Sequence, residues 1–182
     1  PARPTAQLMG VARADLCEPL ARVLQSLGVR RAMVVCGKVE QANQAGPPGA
    51  APGLPGWIDE LSTLGPTVVA EFCEGGDVTV AELMPGLFDL QAASLADLRG
   101  EGREENAAIL RRLLQGEDRG PKRDALLLNA GAALFVAGGA RSIAEGWERA
   151  AALIDGGVAA SKLSTLCSMR AGRVRGPSEG RA

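Results

Sequence analysis

Two adjacent carboxylates, Asp59 and Glu60, are the side chains of this 182-residue sequence with the clearest potential for chemistry. Neighbouring carboxylates in a loop can bind Mg²⁺, a hard cation that prefers oxygen ligands and retains waters and substrate phosphate groups. A solvated Asp-Glu pair at a turn, or in the first turn of a helix, has the same sequence. The pair is therefore a candidate magnesium site, and its spacing alone does not exclude a surface role.

Residue composition removes several other kinds of chemistry. The sequence has no histidine and no tyrosine, which excludes Ser-His-Asp and Cys-His catalysis and histidine-based zinc sites. The cysteines are too widely spaced for a Cys-x-x-Cys metal site, and we expect buried, reduced thiols at Cys17, Cys36, Cys73 and Cys167. A net charge of −1 argues against a nucleic-acid partner, and no apolar run is long enough to span a membrane.

Other candidate groups have structural interpretations. The Gly75-Gly76 pair matches no phosphate-binding fingerprint and predicts a hairpin turn. Asn129 lies in an apolar helical pattern, where a buried amide needs hydrogen-bond partners, so we expect it to pair with a neighbouring loop. Four arginines are expected to be solvated or ion-paired on helix surfaces: Arg103, Arg111, Arg112 and Arg123.

Hydrophobic periodicity predicts the elements that would position these groups. Apolar side chains recur at helical spacing after Asp15, a candidate N-cap. One face of this helix would carry Leu16, Leu20, Val23, Leu24 and Leu27. The apolar run 32–36 predicts a strand buried on both faces, as in a parallel sheet. The runs 68–72 and 78–83 predict an antiparallel hairpin.

The second half of the sequence has helical periodicity. Pro121 suits the first turn of a helix that is apolar nearly all round, so this helix is predicted to be central and buried. Ser142 and Glu145 predict a capping box for the next helix. The last helix is predicted over 158–168, with Leu163 and Leu166 facing inward. Few strands and many helices indicate part of a larger α/β sheet.

Two segments are predicted to be disordered. Residues 38–56 are rich in glycine, alanine and proline and cannot bury enough apolar surface to offset chain ordering. Residues 169–182 are rich in arginine and glycine and are predicted to form a tail. The remainder, within 1–168, is predicted to be one partial α/β domain.

Several motifs, taken in order, resemble the anthranilate phosphoribosyltransferase family. The segments 59–63 (DELST) and 65–67 (GPT) resemble the family's DE-(I/L)-S-x-x-G-x-T motif. Leu98-Arg99-Gly100 with Glu105-Asn106-Ala107 resembles its GG…ENA, and 124–130 (DALLLNA) resembles R-D-x-(V/L)-L-L-N-A. The opening 1–4 and the apolar 33–37 are also similar to family segments. The similarity runs from residue 1 to about residue 168, apart from 38–56.

The resemblance implies a fold and an activity. The fold would be the C-terminal part of a nucleoside phosphorylase/phosphoribosyltransferase-type α/β domain, with a β-hairpin followed by a helical C-terminal half. The activity would transfer 5-phosphoribosyl from phosphoribosyl diphosphate (PRPP) to the amine of anthranilate, with release of pyrophosphate, in tryptophan biosynthesis. Asp59 and Glu60 match the family's acidic pair, which holds Mg²⁺ on the diphosphate. The resemblance assigns no catalytic residue to this chain.

Other family motifs have no match in this sequence. The GTGGD loop, the N-x-S-T segment, the KHGNR loop and the anthranilate-binding arginine all precede the part that matches Pro1. The small helical domain that makes the family's dimer contact precedes it too. We therefore expect this chain alone to be inactive and poorly stable, because its sheet would expose strand edges. We expect the longer protein to be a homodimer in the cytoplasm, or in a plastid if a transit peptide preceded this segment.

Two alternatives remain open. A pyrimidine nucleoside phosphorylase-like relative would share the fold, although phosphorolysis by inorganic phosphate needs no magnesium-binding acidic pair. A non-enzymatic, family-derived domain would keep the fold and bind a partner instead. The near-neutral charge disfavours nucleic acid as that partner.

Overall fold

A mixed five-stranded sheet organises the first half of the chain in a computed structural model that describes residues 4–40 and 56–173. The strands are β1 (Ala6–Gly10), β2 (Arg31–Val39), β3 (Gly56–Ile58), β4 (Thr67–Cys73) and β5 (Thr79–Leu83). The order is β1-β2-β4-β5, and β3 pairs with the end of β2. Strand β1 is parallel to β2, whereas β3 and β4 are antiparallel to it. The predicted α/β fold is confirmed, but the strand expected in a parallel sheet has a parallel neighbour on one side only.

Strand β2 is the centre of the core. Helix α1 (Cys17–Ser26) covers one face of the sheet and helix α4 (Pro121–Val136) covers the other. Val34 and Cys36 pack in the cluster on the α1 side, whereas Met33 and Val35 pack in the cluster on the α4 side. All four are at most 2% exposed. The alternation of side chains along a strand therefore explains why this run is apolar throughout, as the sequence predicted.

Helix α1 differs from the prediction in its start and its buried face. It begins at Cys17, and Asp15 lies in the preceding 3-10 turn, where it pairs with Arg13 rather than capping the helix. The buried residues are Cys17, Ala21 and Leu24. Val23 and Leu27, predicted on the inner face, are 47% and 74% exposed. Packing through the small Cys17 and Ala21 side chains brings that flank of the helix nearest to the sheet.

The predicted hairpin is present as β4 and β5. Its turn contains Gly75 at a φ of 79°, a left-handed conformation that glycine adopts without steric cost. The Gly76 N–H donates to the Cys73 carbonyl at 2.9 Å and closes the turn. The Gly75-Gly76 pair is thus a turn, as predicted.

Helices form the second half of the chain. They are α2 (Leu95–Leu98), α3 (Arg103–Leu114), α4, α5 (Ile143–Asp155) and α6 (Val158–Arg173). Helix α4 is central, as predicted, because it contacts β1, β2 and α5. At the α4–α5 crossing, a Cβ on Gly146 would lie 2.2 Å from the Gly131 carbonyl oxygen, so the close approach requires glycine. Trp147 of α5 stacks on Phe88 with ring centroids 5.9 Å apart.

The cap of α5 is partly the predicted one. The Ser142 hydroxyl accepts a hydrogen bond from the Glu145 N–H at 3.1 Å. The Glu145 carboxylate accepts from the N–H and the guanidinium of Arg141 instead of the Ser142 N–H. The salt bridge with Arg141 moves the carboxylate one residue earlier in the chain than the predicted partner.

The two segments predicted to be disordered overlap regular structure at their boundaries. Lys38 and Val39 belong to β2 and Gly56 to β3, while 41–55 lie outside the described residues. Helix α6 continues to Arg173, and 174–182 lie outside the described residues. Of the two leucines predicted to face inward, Leu163 is partly buried and faces α3 across a cleft, whereas Leu166 is 58% exposed.

The cysteines divide into two groups. Cys17 and Cys36 are buried as expected, and burial raises the pKa of the Cys17 thiol to about 11. Cys73 and Cys167 are exposed, so the expectation of burial was wrong for them. Cys73 ends β4 beside the hairpin turn, and Cys167 lies in the last helix, where it lines an open cleft with Arg111 and Leu114 of α3.

Candidate functional site

The acidic pair lies in the loop after β3, at one edge of the sheet. We call residues 59–62 the acidic loop. A Cβ on Gly10, the last residue of β1, would lie 1.5 Å from the Asp59 carbonyl oxygen. A Cβ on Gly37, near the end of β2, would lie 2.5 Å from the Glu60 carbonyl oxygen. The acidic loop therefore crosses the carboxyl ends of two parallel strands, where α/β sheets commonly bind ligands.

Hydrogen bonds hold the acidic loop from the other side. The Leu61 N–H donates to Asn129 Oδ1 at 2.9 Å, and Asn129 Nδ2 donates to the Leu61 carbonyl at 3.0 Å. The Ser62 N–H donates to Thr67 Oγ1 at 2.9 Å, with both residues buried. The prediction that Asn129 pairs with a neighbouring loop is confirmed. It pairs with the loop that contains the acidic pair.

The carboxylates themselves are exposed and lie outside the ion pairs of the described residues. Within 4–40 and 56–169, neither Asp59 nor Glu60 forms a salt bridge. Desolvation against the neighbouring protein raises the pKa of Glu60, and the negative charge of Asp59 raises it further. A bound cation would relieve both effects. No cluster of three or more acidic, cysteine or histidine ligands occurs in the part of the chain that the structure describes.

A cleft of about 420 Å³ opens beside Glu60, between α3 and α4. Its walls are mostly apolar: Leu98, Ile109, Leu110, Leu113, Ala125 and Leu126. Asn106, which also lines the cleft, accepts from the Glu101 N–H at 2.9 Å and donates to the Glu101 carbonyl at 3.2 Å. Lys122 Nζ donates to the Asp97 carbonyl. These polar groups are satisfied within the protein, and Asn106 joins the start of α3 to the segment before it.

The four arginines have the structural roles predicted for them, with one difference. Arg103 and Arg111 are exposed, and Arg112 forms a salt bridge with Glu105 at 3.3 Å. The Arg123 side chain is only 7% exposed and pairs with Asp155 at 3.0 Å. Arg123 therefore joins α4 to the end of α5 from the interior, not from a helix surface.

Sequence reasoning missed Gly10 and Gly37 as parts of the site. Neither glycine was predicted to contact the acidic pair. The available indication was that each glycine ends an apolar strand run, a place where backbone often approaches closely. The backbone that approaches Gly10 is about fifty positions away in the sequence, and the backbone that approaches Gly37 is about twenty positions away. Sequence spacing does not reveal such tertiary contacts.

Comparison with known proteins identifies the family to which this chain belongs. The profile of the glycosyl transferase family, a/b domain, matches residues 1–160, and the chain belongs to that family. The resemblance predicted from the sequence motifs is confirmed by relatives called anthranilate phosphoribosyltransferase. The one from Lacticaseibacillus paracasei is 43% identical over 166 residues, which are 91% of this chain and 43% of the relative. The one from Parvibaculum lavamentivorans is 40% identical over 173 residues, 95% of this chain and 45% of the relative.

Solved structures agree with the sequence relatives. The crystal structure of anthranilate phosphoribosyltransferase from Thermus thermophilus matches with a TM-score of 0.66 and 36% identity, over 86% of this chain and 40% of that one. The Saccharomyces cerevisiae enzyme in complex with PRPP and Mg matches with a TM-score of 0.63 at 23% identity, over 86% and 39%. The second match shows the fold alone. The chain spans less than half the length of the curated relatives that it matches.

Proposed function

We propose that this chain supplies the cation-holding part of a magnesium-dependent anthranilate phosphoribosyltransferase. The observation that carries the proposal is the position of Asp59 and Glu60 on a loop fixed across the carboxyl ends of β1 and β2. Membership of the glycosyl transferase family supports the general chemistry. The names of the relatives support the particular acceptor, anthranilate.

The acidic pair fits Mg²⁺ in its donor atoms and in its surroundings. Mg²⁺ typically takes one or two protein carboxylates and completes its shell with waters and substrate phosphate oxygens, so a set of two carboxylates suffices. Among the described residues no basic side chain forms a salt bridge with the pair, and the pKa of Glu60 is raised first by desolvation and then by the negative charge of Asp59. Mg²⁺, when bound, would stabilise the negative charge that develops on a leaving pyrophosphate.

The chemistry assigned to the whole enzyme is a substitution at the anomeric carbon of the ribose. The C1–oxygen bond to pyrophosphate breaks, and the electron pair leaves with the oxygen. The anthranilate nitrogen forms the new C1–N bond and then loses a proton to solvent. Asp59 and Glu60 would act only at the leaving-group end, by holding the cation there. The residues that bind the ribose and anthranilate would come from the part of the relatives that this chain does not match.

The test measures loss of anthranilate fluorescence with PRPP and Mg²⁺. We expect no turnover by this chain alone. We expect turnover when the N-terminal portion of the Thermus thermophilus relative is supplied, since this chain covers 40% of that relative and the motif resemblance assigns it to the C-terminal portion. Asp59→Asn and Glu60→Gln in the complemented enzyme should raise the Mg²⁺ and PRPP concentrations needed for half-maximal rate. Unchanged requirements in both variants would remove the pair from the site.

The same complemented enzyme discriminates the alternatives. Conversion of a pyrimidine nucleoside with inorganic phosphate, without Mg²⁺, would favour a phosphorylase. The absence of any turnover by a complex that forms and is folded would favour a non-enzymatic binding domain. The expected homodimer and the cytoplasmic location stay predictions for the longer protein. In the described part of this chain, no helix has the length and apolar character needed to cross a bilayer.

A further inference from the structure

The carboxamide of Asn129 binds one residue of the acidic loop through both of its polar atoms. Its oxygen accepts the Leu61 N–H at 2.9 Å, and its nitrogen donates to the Leu61 carbonyl at 3.0 Å. Leu61 directly follows Glu60 and is 1% exposed. The carboxamide thus makes the same two hydrogen bonds to Leu61 that a neighbouring strand would make in a β-sheet. It fixes the peptide groups on both sides of Leu61, including the one that joins it to Glu60.

The Asn129 side chain is itself fixed. Its nitrogen also donates to the carbonyl of Ala125, one turn earlier in α4, at 3.0 Å. Both amide hydrogens and the carboxamide oxygen are therefore used. Helix α4 packs on the sheet through Leu128 and Ala132 and meets α5 at the Gly131–Gly146 crossing. A group held in this way on a buried helix can impose its geometry on a loop.

The opposite side of the acidic loop rests on glycine backbone. Gly10 and Gly37 leave room for the carbonyl groups of Asp59 and Glu60, because a Cβ at either position would overlap the facing carbonyl oxygen. These glycines set how closely the loop approaches the sheet. The antiparallel pairing of Gly37 with Ile58 anchors the residue before Asp59, and the backbone after Glu60 is held by Asn129. Two neighbouring carboxylates in a free loop would turn apart to reduce their repulsion. The hydrogen bonds from Asn129 oppose that movement.

We propose that Asn129 is a positioning residue that holds the acidic loop in a cation-binding geometry before the cation arrives. It touches neither cation nor substrate in this assignment and acts only through the backbone of Leu61. The proposal rests on the proposed role of Asp59 and Glu60. Residues that orient metal ligands in this way typically change metal affinity about 10- to 100-fold when they are removed.

A second asparagine that lines the cleft, Asn106, provides a matched control. Asn106 makes the same pair of hydrogen bonds, to the N–H and carbonyl of Glu101, and lines the same cleft. It holds a segment that contains neither Asp59 nor Glu60. Asn129→Ala and Asn106→Ala therefore remove the same kind of interaction at two neighbouring places, and only the first faces the acidic loop.

The experiment uses the 182-residue chain and two measurements. Backbone hydrogen exchange at Leu61, in the absence of metal, reports whether the loop is held. Titration with Mn²⁺, followed by the electron paramagnetic resonance of the free ion, reports cation affinity. We expect Asn129→Ala to speed exchange at Leu61 and to weaken Mn²⁺ binding about 10-fold or more, whereas Asn106→Ala changes both less than about 2-fold. Asn129→Asp, which keeps only the acceptor atom for Leu61, should also speed exchange and checks the result if Asn129→Ala does not fold.

The outcomes separate the two proposals. Glu60→Gln should abolish Mn²⁺ binding and leave exchange at Leu61 slow, because it changes a ligand and not the bonds that hold the loop. If the wild-type chain binds no Mn²⁺ but Asn129→Ala still speeds exchange, the cation role of the pair is wrong, and with it the functional meaning of Asn129. Equal Mn²⁺ affinity in folded wild-type and Asn129→Ala chains would overturn the positioning role alone. Equal weakening by Asn106→Ala would overturn it as well, because the effect would then be a general one.

Discussion

Replacement of Gly10 by alanine is the substitution with the sharpest expected effect on the acidic loop. The new Cβ would lie 1.5 Å from the Asp59 carbonyl oxygen, whereas ordinary contacts begin at 3.4 Å, so one group must withdraw by about 1.9 Å. Neither group is the end of a flexible side chain, since one is a strand residue and the other is loop backbone. Asn129 opposes displacement of the loop from the other side.

The size of the effect follows from these restraints. Forcing one extra carbon into a tightly packed site typically costs about 1–3 kcal/mol of stability, and backbone on both sides places Gly10→Ala at the upper end. A displacement of about 1 Å in a catalytic constellation can lower a rate by about 100-fold. We therefore expect Gly10→Ala to lose about 2–3 kcal/mol in urea denaturation and to bind Mn²⁺ at least about 10-fold more weakly.

Gly56→Ala is the matched control for this prediction. Gly56 also belongs to the sheet, three residues before Asp59, but among the described residues its added Cβ would meet only the Val39 Cβ, at an ordinary 3.6 Å. The free energy of unfolding of the Gly56→Ala chain should change by less than about 1 kcal/mol, and its Mn²⁺ affinity by less than about 2-fold. A Gly10→Ala chain as stable as Gly56→Ala, with wild-type Mn²⁺ affinity, would refute the argument that this glycine seats the acidic loop.

Two further predictions concern charged groups. Asp155→Ala leaves the buried Arg123 guanidinium without its carboxylate and should cost roughly 2–4 kcal/mol in urea denaturation, whereas Glu105→Ala, which removes the partner of the exposed Arg112, should cost less than about 1 kcal/mol. Equal losses in the two variants would show that burial of Arg123 does not matter. Because the folded-state pKa of Glu60 is raised, its contribution to stability is present at low pH and is lost as pH rises through that pKa. Denaturation of the metal-free chain over about pH 4 to 7 should show this loss and Glu60→Gln should not, while Mn²⁺ affinity should fall as pH drops through the same range. A pH dependence that is identical in the Glu60→Gln chain would assign it to other groups.

The regular elements were largely predictable because their determinants are local. The apolar run of β2, the Gly75 turn and Pro121 at the start of α4 depend on periodicity and backbone preferences within one element. The face of α1 was not predictable in the same way. Its apolar stripe is wider than its contact with the sheet, and periodicity does not show that Val23 and Leu27 lie outside that contact.

The acidic pair could be singled out from sequence, but its support could not. Asp59 and Glu60 are adjacent, so their motif is complete within one short segment. Gly10, Gly37 and Asn129 reach the loop from three different elements, and their partners depend on strand order and helix packing. Asn129 was predicted to pair with a loop because a buried amide needs partners, a general requirement that does not specify which loop.

The position of Trp57 gives the chain an optical property. The sequence contains two tryptophans and no tyrosine, so its near-ultraviolet absorption and emission arise almost entirely from those two indoles. Trp57 lies in β3, two residues before Asp59, and is 39% exposed, whereas Trp147 stacks on Phe88 within the helical half. A Trp147→Phe chain would therefore emit from a single indole beside the acidic loop. Its emission wavelength and quenching would follow the local environment of that loop without any attached dye.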